Sequence, residues 1–186
     1  MDGANLATFQ QFAMEQYELP LSYELILDAL RSMLSARDFK LAIVHAATAV
    51  EVEVLNLLNK VLIANGKSPG DAWMLLENEP NYQGVKNRIK RLEENTREYC
   101  SANGLPFAGF LGGRLFSRWD AEVCTKRNRA VHAGVKSFTF QETSEAIGIA
   151  KETIAFLDGR IPTLSDRVRV DPSMSGIRDS SAGIIF

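Results

Sequence analysis

The chain has 186 residues, 46% of them apolar, and a formal net charge of −2. That length suits one domain or one domain with a tail, and the apolar share is enough for a core and too high for a disordered chain. The charge argues against an indiscriminate nucleic-acid binder, and Cys100 and Cys124 offer neither a disulfide framework nor a metal-ligand spacing, so a reduced, cytoplasmic compartment is expected.

Met1-Asp2-Gly3-Ala4-Asn5 has no basic segment leading into an apolar run, so no signal peptide is expected. Leu6, Phe9, Phe12 and Ala13 stand at helical spacing and predict a short helix over 5–17, ended by Pro20. Ser22 is placed to cap the next helix, whose apolar positions Tyr23, Ile26, Leu27, Leu30, Met33 and Leu34 keep the amphipathic period. Asp38 can cap a third helix that runs to about Ala64 and stops at Asn65-Gly66. This helix is apolar on most sides, as the centre of a bundle would be. His45, Glu51, Glu53, Asn56, Asn59 and Lys60 interrupt it, which makes it too polar for a membrane span; no membrane association is expected.

Lys67 to Gly70 reads as a turn, and 71–76 as a short helix carrying Trp73. Val85, Ile89, Leu92 and Tyr99 mark another long helix, with basic residues on its other faces. The stretch 103–113 holds Gly104, Gly109, Gly112, Gly113 and Pro106. Its glycines follow no strand and match no phosphate-loop spacing, so it reads as a connector. Ser117-Arg118-Trp119-Asp120 has the form of a capping box opening a helix that ends at Ala133-Gly134. Thr139-Phe140-Gln141-Glu142 is a second such box, opening a helix that ends at Gly159. Residues 163–186 show no helical period, although Arg167 to Val170 alternates like a short strand and Ile184-Ile185-Phe186 is apolar enough to favour docking over free solvation. The expected class is all-α: an antiparallel bundle of four or five long helices over residues 1–160, with an irregular tail or linker over 161–186.

Charge is unevenly distributed. From Gly84 to Ala130 ten basic residues stand against five acidic ones, so this segment is +5 and the remainder −7. Such an asymmetry suits a polyanion-facing side on an acidic body, and solvated helix faces produce the same count.

Within that segment lies Arg127-Asn128-Arg129-Ala130-Val131-His132. Asn128 and His132 are four apart and share a helix face. A guanidinium, an amide and a proton carrier that titrates near neutrality are what phosphodiester chemistry without a metal needs. The plainer reading is a surface helix end whose histidine is favoured by exposed carbonyls. Arg127 falls on one stripe with Val123, Cys124 and Val131, so its stem should be partly buried and its guanidinium then needs a partner. Glu51 and Glu53 are the candidates. Glu51 shares a stripe with Val44, Thr48, Leu55 and Leu58, which makes it the more buried of the two and predicts an Arg127–Glu51 contact. In the competing arrangement both glutamates face solvent. His45 and His132 lack co-ligands at metal spacing, so neither a metal nor another cofactor is expected, and no Ser–His–Asp or Cys–His set is present.

Two stretches resemble a known family. Ala42-Ile43-Val44-His45-Ala46-Ala47-Thr48-Ala49-Val50-Glu51 is similar to the long second helix of HEPN domains, a run of small and aliphatic residues ending in a glutamate. Arg127 to His132 resembles their arginine, polar residue, three variable residues and histidine. Trp119 and the Thr139 capping box sit where that family has them, and the resemblance spans about residues 20 to 160. It implies a metal-independent ribonuclease of toxin or defence type, working as a homodimer with both motifs at one cleft. His132 would then act as general acid or base, Arg127 would stabilise charge on the scissile phosphate, and Asn128 would orient the phosphate or the histidine. Glu51 would support Arg127, and Arg118, Lys126 and Arg129 would make backbone contacts to RNA. The substrate's own 2′-hydroxyl would be the nucleophile. The resemblance also implies, as alternatives, an antitoxin or nucleotidyltransferase partner, or a non-catalytic module that binds a nucleotide, RNA or protein. A regulatory domain cut from a longer chain is a third reading.

Overall fold

The computed structural model describes residues 19–132 and 137–160, and every regular element among them is a helix. In chain order these are α1 (Leu21–Leu34), α2 (Phe39–Ala64), α3 (Pro69–Asn78), a 3₁₀ turn (Pro80–Tyr82), α4 (Val85–Ala102), α5 (Arg114–Trp119), a π-helical turn (Asp120–Cys124), α6 (Thr125–His132) and α7 (Phe140–Arg160). The protein is all-α over this span. The expected helix at 5–17, the stop at Gly134 and the tail at 161–186 lie outside the described residues. The chain groups into two compact units, one holding the segment to Glu53 with Arg118–Glu152, the other Val54–Ser117 with the segment from Thr153.

In the first unit α1 begins directly after Pro20, which stands at the N-cap where a missing N–H costs nothing. Ser22, expected as the cap, instead falls in the first turn and points inward with Ile26, Ala29 and Met33. Their spacing of four, three and four makes one helical face. Tyr23, Leu27 and Leu34, read from sequence as part of the same apolar set, are exposed. The helix is apolar over too wide an arc for one face to bury all of it. α2 opens on the expected Asp38 cap, whose carboxylate accepts the Leu41 N–H at 3.0 Å. Its buried positions in this unit are mostly alanine (Ala42, Ala46, Ala47, Ala49), small enough to let neighbouring backbones approach closely. α7 opens on the Thr139 box. The backbone N–H and hydroxyl of Thr139 both donate to the Glu142 carboxylate at 2.8 Å, and the Glu142 N–H donates back to the hydroxyl at 3.1 Å. Those bonds, the backbone one first, hold the Glu142 carboxyl below its ordinary range. Phe39 meets Phe140 edge to face, with centroids 6.4 Å apart.

In the second unit α2 continues with Val54, Leu57, Leu58, Val61 and Leu62 buried, then ends at Ala64. The Asn65 side chain donates to the Asn95 carbonyl of α4 at 3.0 Å, tying two helices together at that end. Ser68 caps α3 by accepting the Asp71 N–H, and Gln83 reaches back to the Leu76 and Glu77 carbonyls that α3 leaves open. α4 closes on Gly104 at φ +63°, where the following Leu105 N–H donates to the Cys100 carbonyl. The connector after it is anchored by Glu93 of α4, a buried glutamate. Its carboxylate accepts the Phe110 N–H at 2.8 Å and the Leu111 N–H at 2.6 Å, and the Arg97 guanidinium at 3.1 Å. At Gly109 a Cβ would stand 3.2 Å from the same carboxylate, so the backbone comes this close because the residue has no side chain.

By length and composition α2 could cross a membrane, but 56% of its most apolar window is buried inside the protein. A core helix passes the same test.

Candidate functional site

The motif helix does not begin where its sequence suggests. α5 starts at Arg114, and Ser117 lies inside it, its N–H bonded to the Gly113 carbonyl at 3.3 Å. The Ser117 capping box is therefore not formed; its residues are good enough in a helix interior to be overrun from upstream. Trp119, with none of its surface exposed, fixes this segment in the core of the first unit.

Between α5 and α6 the backbone takes one π turn, Asp120 to Cys124. The Asp120 carbonyl accepts the Thr125 N–H five residues on, and also the Thr125 hydroxyl at 2.9 Å. Bonding from i to i+5 holds one residue more than an α-turn, so everything after it is turned by about 100° from where an unbroken helix would put it. The inward face beyond the turn runs through Val123, Lys126 and Ala130. Val131, expected on the buried stripe with Arg127, is 51% exposed.

This phase sets the environment of each predicted site residue. Arg127 lies on the flank of the inward face, its side chain 33% exposed. One guanidinium nitrogen stands 3.9 Å from the Glu51 carboxylate, and another donates to the Asn128 side-chain oxygen at 3.1 Å. The Glu51 separation is an ion-pair distance and too long for a hydrogen bond. The expected Arg127–Glu51 pairing is thus present in loose form. The expected order of burial is reversed, however. Glu53 is only 5% exposed and accepts the Ser22 hydroxyl at 2.5 Å, while Glu51 is intermediate. In a helix apolar on most sides, a stripe drawn from sequence cannot tell which of two glutamates faces the core. The missed signal was Ser22, an inward hydroxyl on α1 that needs a polar partner.

Asn128 and His132 are both exposed, one helical turn apart, with His132 the last residue of α6. Of the three cations assigned to RNA, Lys126 departs from expectation. It is 8% exposed, paired with Glu122 at 2.6 Å and within 3.4 Å of the Glu142 carbonyl, so it is a wall residue and not a surface contact. A charge count from sequence cannot see that its stem is directed inward. Arg118 is exposed and paired with Glu152 at 3.2 Å. Arg129 is exposed, with its guanidinium 6.0 Å from the centre of the Phe138 ring, at the limit for a cation–π contact.

The structure therefore joins Arg127, Asn128 and Glu51 directly, with His132 a turn further on. It gives Arg118 and Lys126 ion-pair partners of their own. Among the described residues no group of three His, Cys, Asp or Glu side chains is placed to hold a metal ion. Cys124 is buried, and burial pushes the Cys100 thiol up from its ordinary range, so neither is an activated nucleophile. Comparison of the chain with protein-family models, with curated proteins and with solved structures finds no match.

Proposed function

We propose that this protein is a metal-independent endoribonuclease of HEPN type, cleaving RNA at a composite site formed when two copies bring their Arg127-Asn128-His132 turns to one cleft. The observation that carries the reading is the arrangement of that turn: an amide and an imidazole exposed on one face, beside a guanidinium held from behind by Glu51 and from the side by Asn128. On this reading the finer architecture is the antiparallel four- or five-helix bundle of that family, the protein works in the cytoplasm as a toxin or defence component, and an antitoxin or nucleotidyltransferase subunit restrains it.

Cleavage needs a proton removed from the 2′-hydroxyl, a proton supplied to the leaving 5′-oxygen, and stabilisation of charge on the phosphorane between. His132 from each copy supplies the two proton transfers. Arg127 faces the equatorial phosphate oxygens, and Asn128, already bonded to it, fixes the plane of the guanidinium. Each general acid or base is worth about 10² to 10⁴ in rate.

The test incubates purified protein with RNA in excess chelator and compares it with His132→Ala. Cleavage by the wild type and a loss of at least about 100-fold in the variant is the expected result. Equal cleavage by both, or none by either, removes the ribonuclease reading.

A second reading belongs to a different class: a non-catalytic binding module of the same architecture for a nucleotide, RNA or protein. It is favoured by the engagement of Arg127, Arg118 and Lys126 with protein acceptors, which leaves less cationic surface for a polyanion. RNA retention without cleavage, unaffected by His132→Ala, would select it.

A further inference from the structure

The second unit holds a cavity of about 230 Å³, walled by the Glu93-anchored connector, the first turn of α5 and the last turns of α7. Its surface is mostly apolar, and Ile89, Phe110, Phe116, Phe156 and Leu157 are among its lining residues. Phe110 and Phe156 meet edge to face, centroids 6.5 Å apart, at one side. Water entering such a space finds few hydrogen-bond partners, and an apolar cavity of about 150 Å³ is already known to stay dry and accept a benzene ring. This one has room for a ring with a short substituent, and falls below the roughly 300 Å³ at which pockets for drug-sized ligands begin.

Two features make it a preformed site with a polar end. The connector that forms one wall is pinned by the Glu93 carboxylate through the Phe110 and Leu111 N–H groups, so the wall stands without a ligand to order it. Arg114 also lines the cavity; its side chain is exposed, and among the described residues it makes no ion pair. From these features we infer that the cavity binds a small arylalkyl carboxylate, its ring among Phe110, Phe116 and Phe156 and its carboxylate against the Arg114 guanidinium. A planar fork of N–H donors is the side chain best matched to a carboxylate. The site shares no lining residue with the Arg127 turn, and its occupancy is read without any ribonuclease assay.

The experiment titrates the full chain with phenylacetate and, in parallel, with phenylethanol, which keeps the ring and drops the charge. Binding is followed by calorimetry and by the rise in Tm. Phenylacetate should bind at least tenfold tighter than phenylethanol, and Arg114→Gln should bring it down to the level of the alcohol while leaving the alcohol unchanged. Phe156→Trp, which fills the space, should abolish both; a matching far-UV spectrum checks that each variant is folded. Equal affinity for acid and alcohol overturns the proposal, as does an Arg114→Gln variant that binds phenylacetate normally or a lack of binding to any probe. Binding that appears only in an Ile185→Ser, Phe186→Ser double variant also overturns it, since the chain's own apolar end would then be the occupant.

Discussion

Glu93 and Glu51 are both glutamates facing an arginine across a helical surface, yet they do opposite work. The Glu93 carboxylate is buried and accepts two backbone N–H groups and Arg97, and so holds a connector in one conformation. Glu51 is 29% exposed and 3.9 Å from Arg127, a separation that leaves the guanidinium oriented but free to be drawn toward another anion. Burial and the number of donors decide which role a pair plays: a buried carboxylate held by three donors is structural, and one held at arm's length is available. The same distinction separates Lys126, enclosed and paired at 2.6 Å, from Arg127 next to it.

The comparison can be broken most forcefully at Glu93. Glu93→Ala leaves the Phe110 and Leu111 N–H groups without their acceptor and should cost about 3 kcal/mol in urea unfolding, with Glu93→Gln losing less because its carbonyl still accepts. A loss below about 1 kcal/mol would show that the connector does not depend on this carboxylate. Next in size is Ser22→Ala, which removes the hydroxyl donor from buried Glu53 and should cost about 1.5 kcal/mol. Glu142 tests the sign of an exposed carboxylate. Its folded pKa lies below the ordinary unfolded value of about 4.3. Its contribution is therefore present above that value and is lost as pH falls through the folded pKa, and Glu142→Gln should flatten the acid limb of a stability–pH curve. Smallest of all is Glu51→Gln. The pair is partly solvated, so stability should change by less than about 0.5 kcal/mol. If RNA cleavage nonetheless falls tenfold or more, the two glutamates differ in kind and not merely in strength.

Much of the fold was legible because helix ends are written in local chemistry. Asp38 and the Thr139–Glu142 box each act within three residues of themselves, and each caps a helix as its sequence implies. Ser68, read from sequence as part of a turn, is also a cap, so that α3 starts at Pro69 and not at 71. The Ser117 box failed for the same local reason, since nothing in four residues reports that a helix is already running. Long-range features were harder. Which face of α1 is buried, and whether Glu51 or Glu53 lies deeper, depends on neighbours that contribute no pattern to the local sequence. Arg127, Asn128 and His132 stand out by residue type and spacing, and the loose Glu51 contact follows from the need to pair a half-buried cation. The inward turn of Lys126 was invisible, because it follows from a π turn whose residues, Asp120-Ala121-Glu122-Val123-Cys124, read as ordinary helix formers.

That π turn means that the aim of the Arg127–His132 face is encoded in chain length. A substitution within Asp120–Cys124 leaves the phase of α6 in place so long as the i to i+5 bond survives. Removing a single residue there, for instance exposed Ala121, restores an ordinary α-turn and swings the whole motif by about 100° relative to Trp119. Arg127 would leave Glu51 with every motif residue still present. A chain one residue shorter would hold the same letters pointing somewhere else.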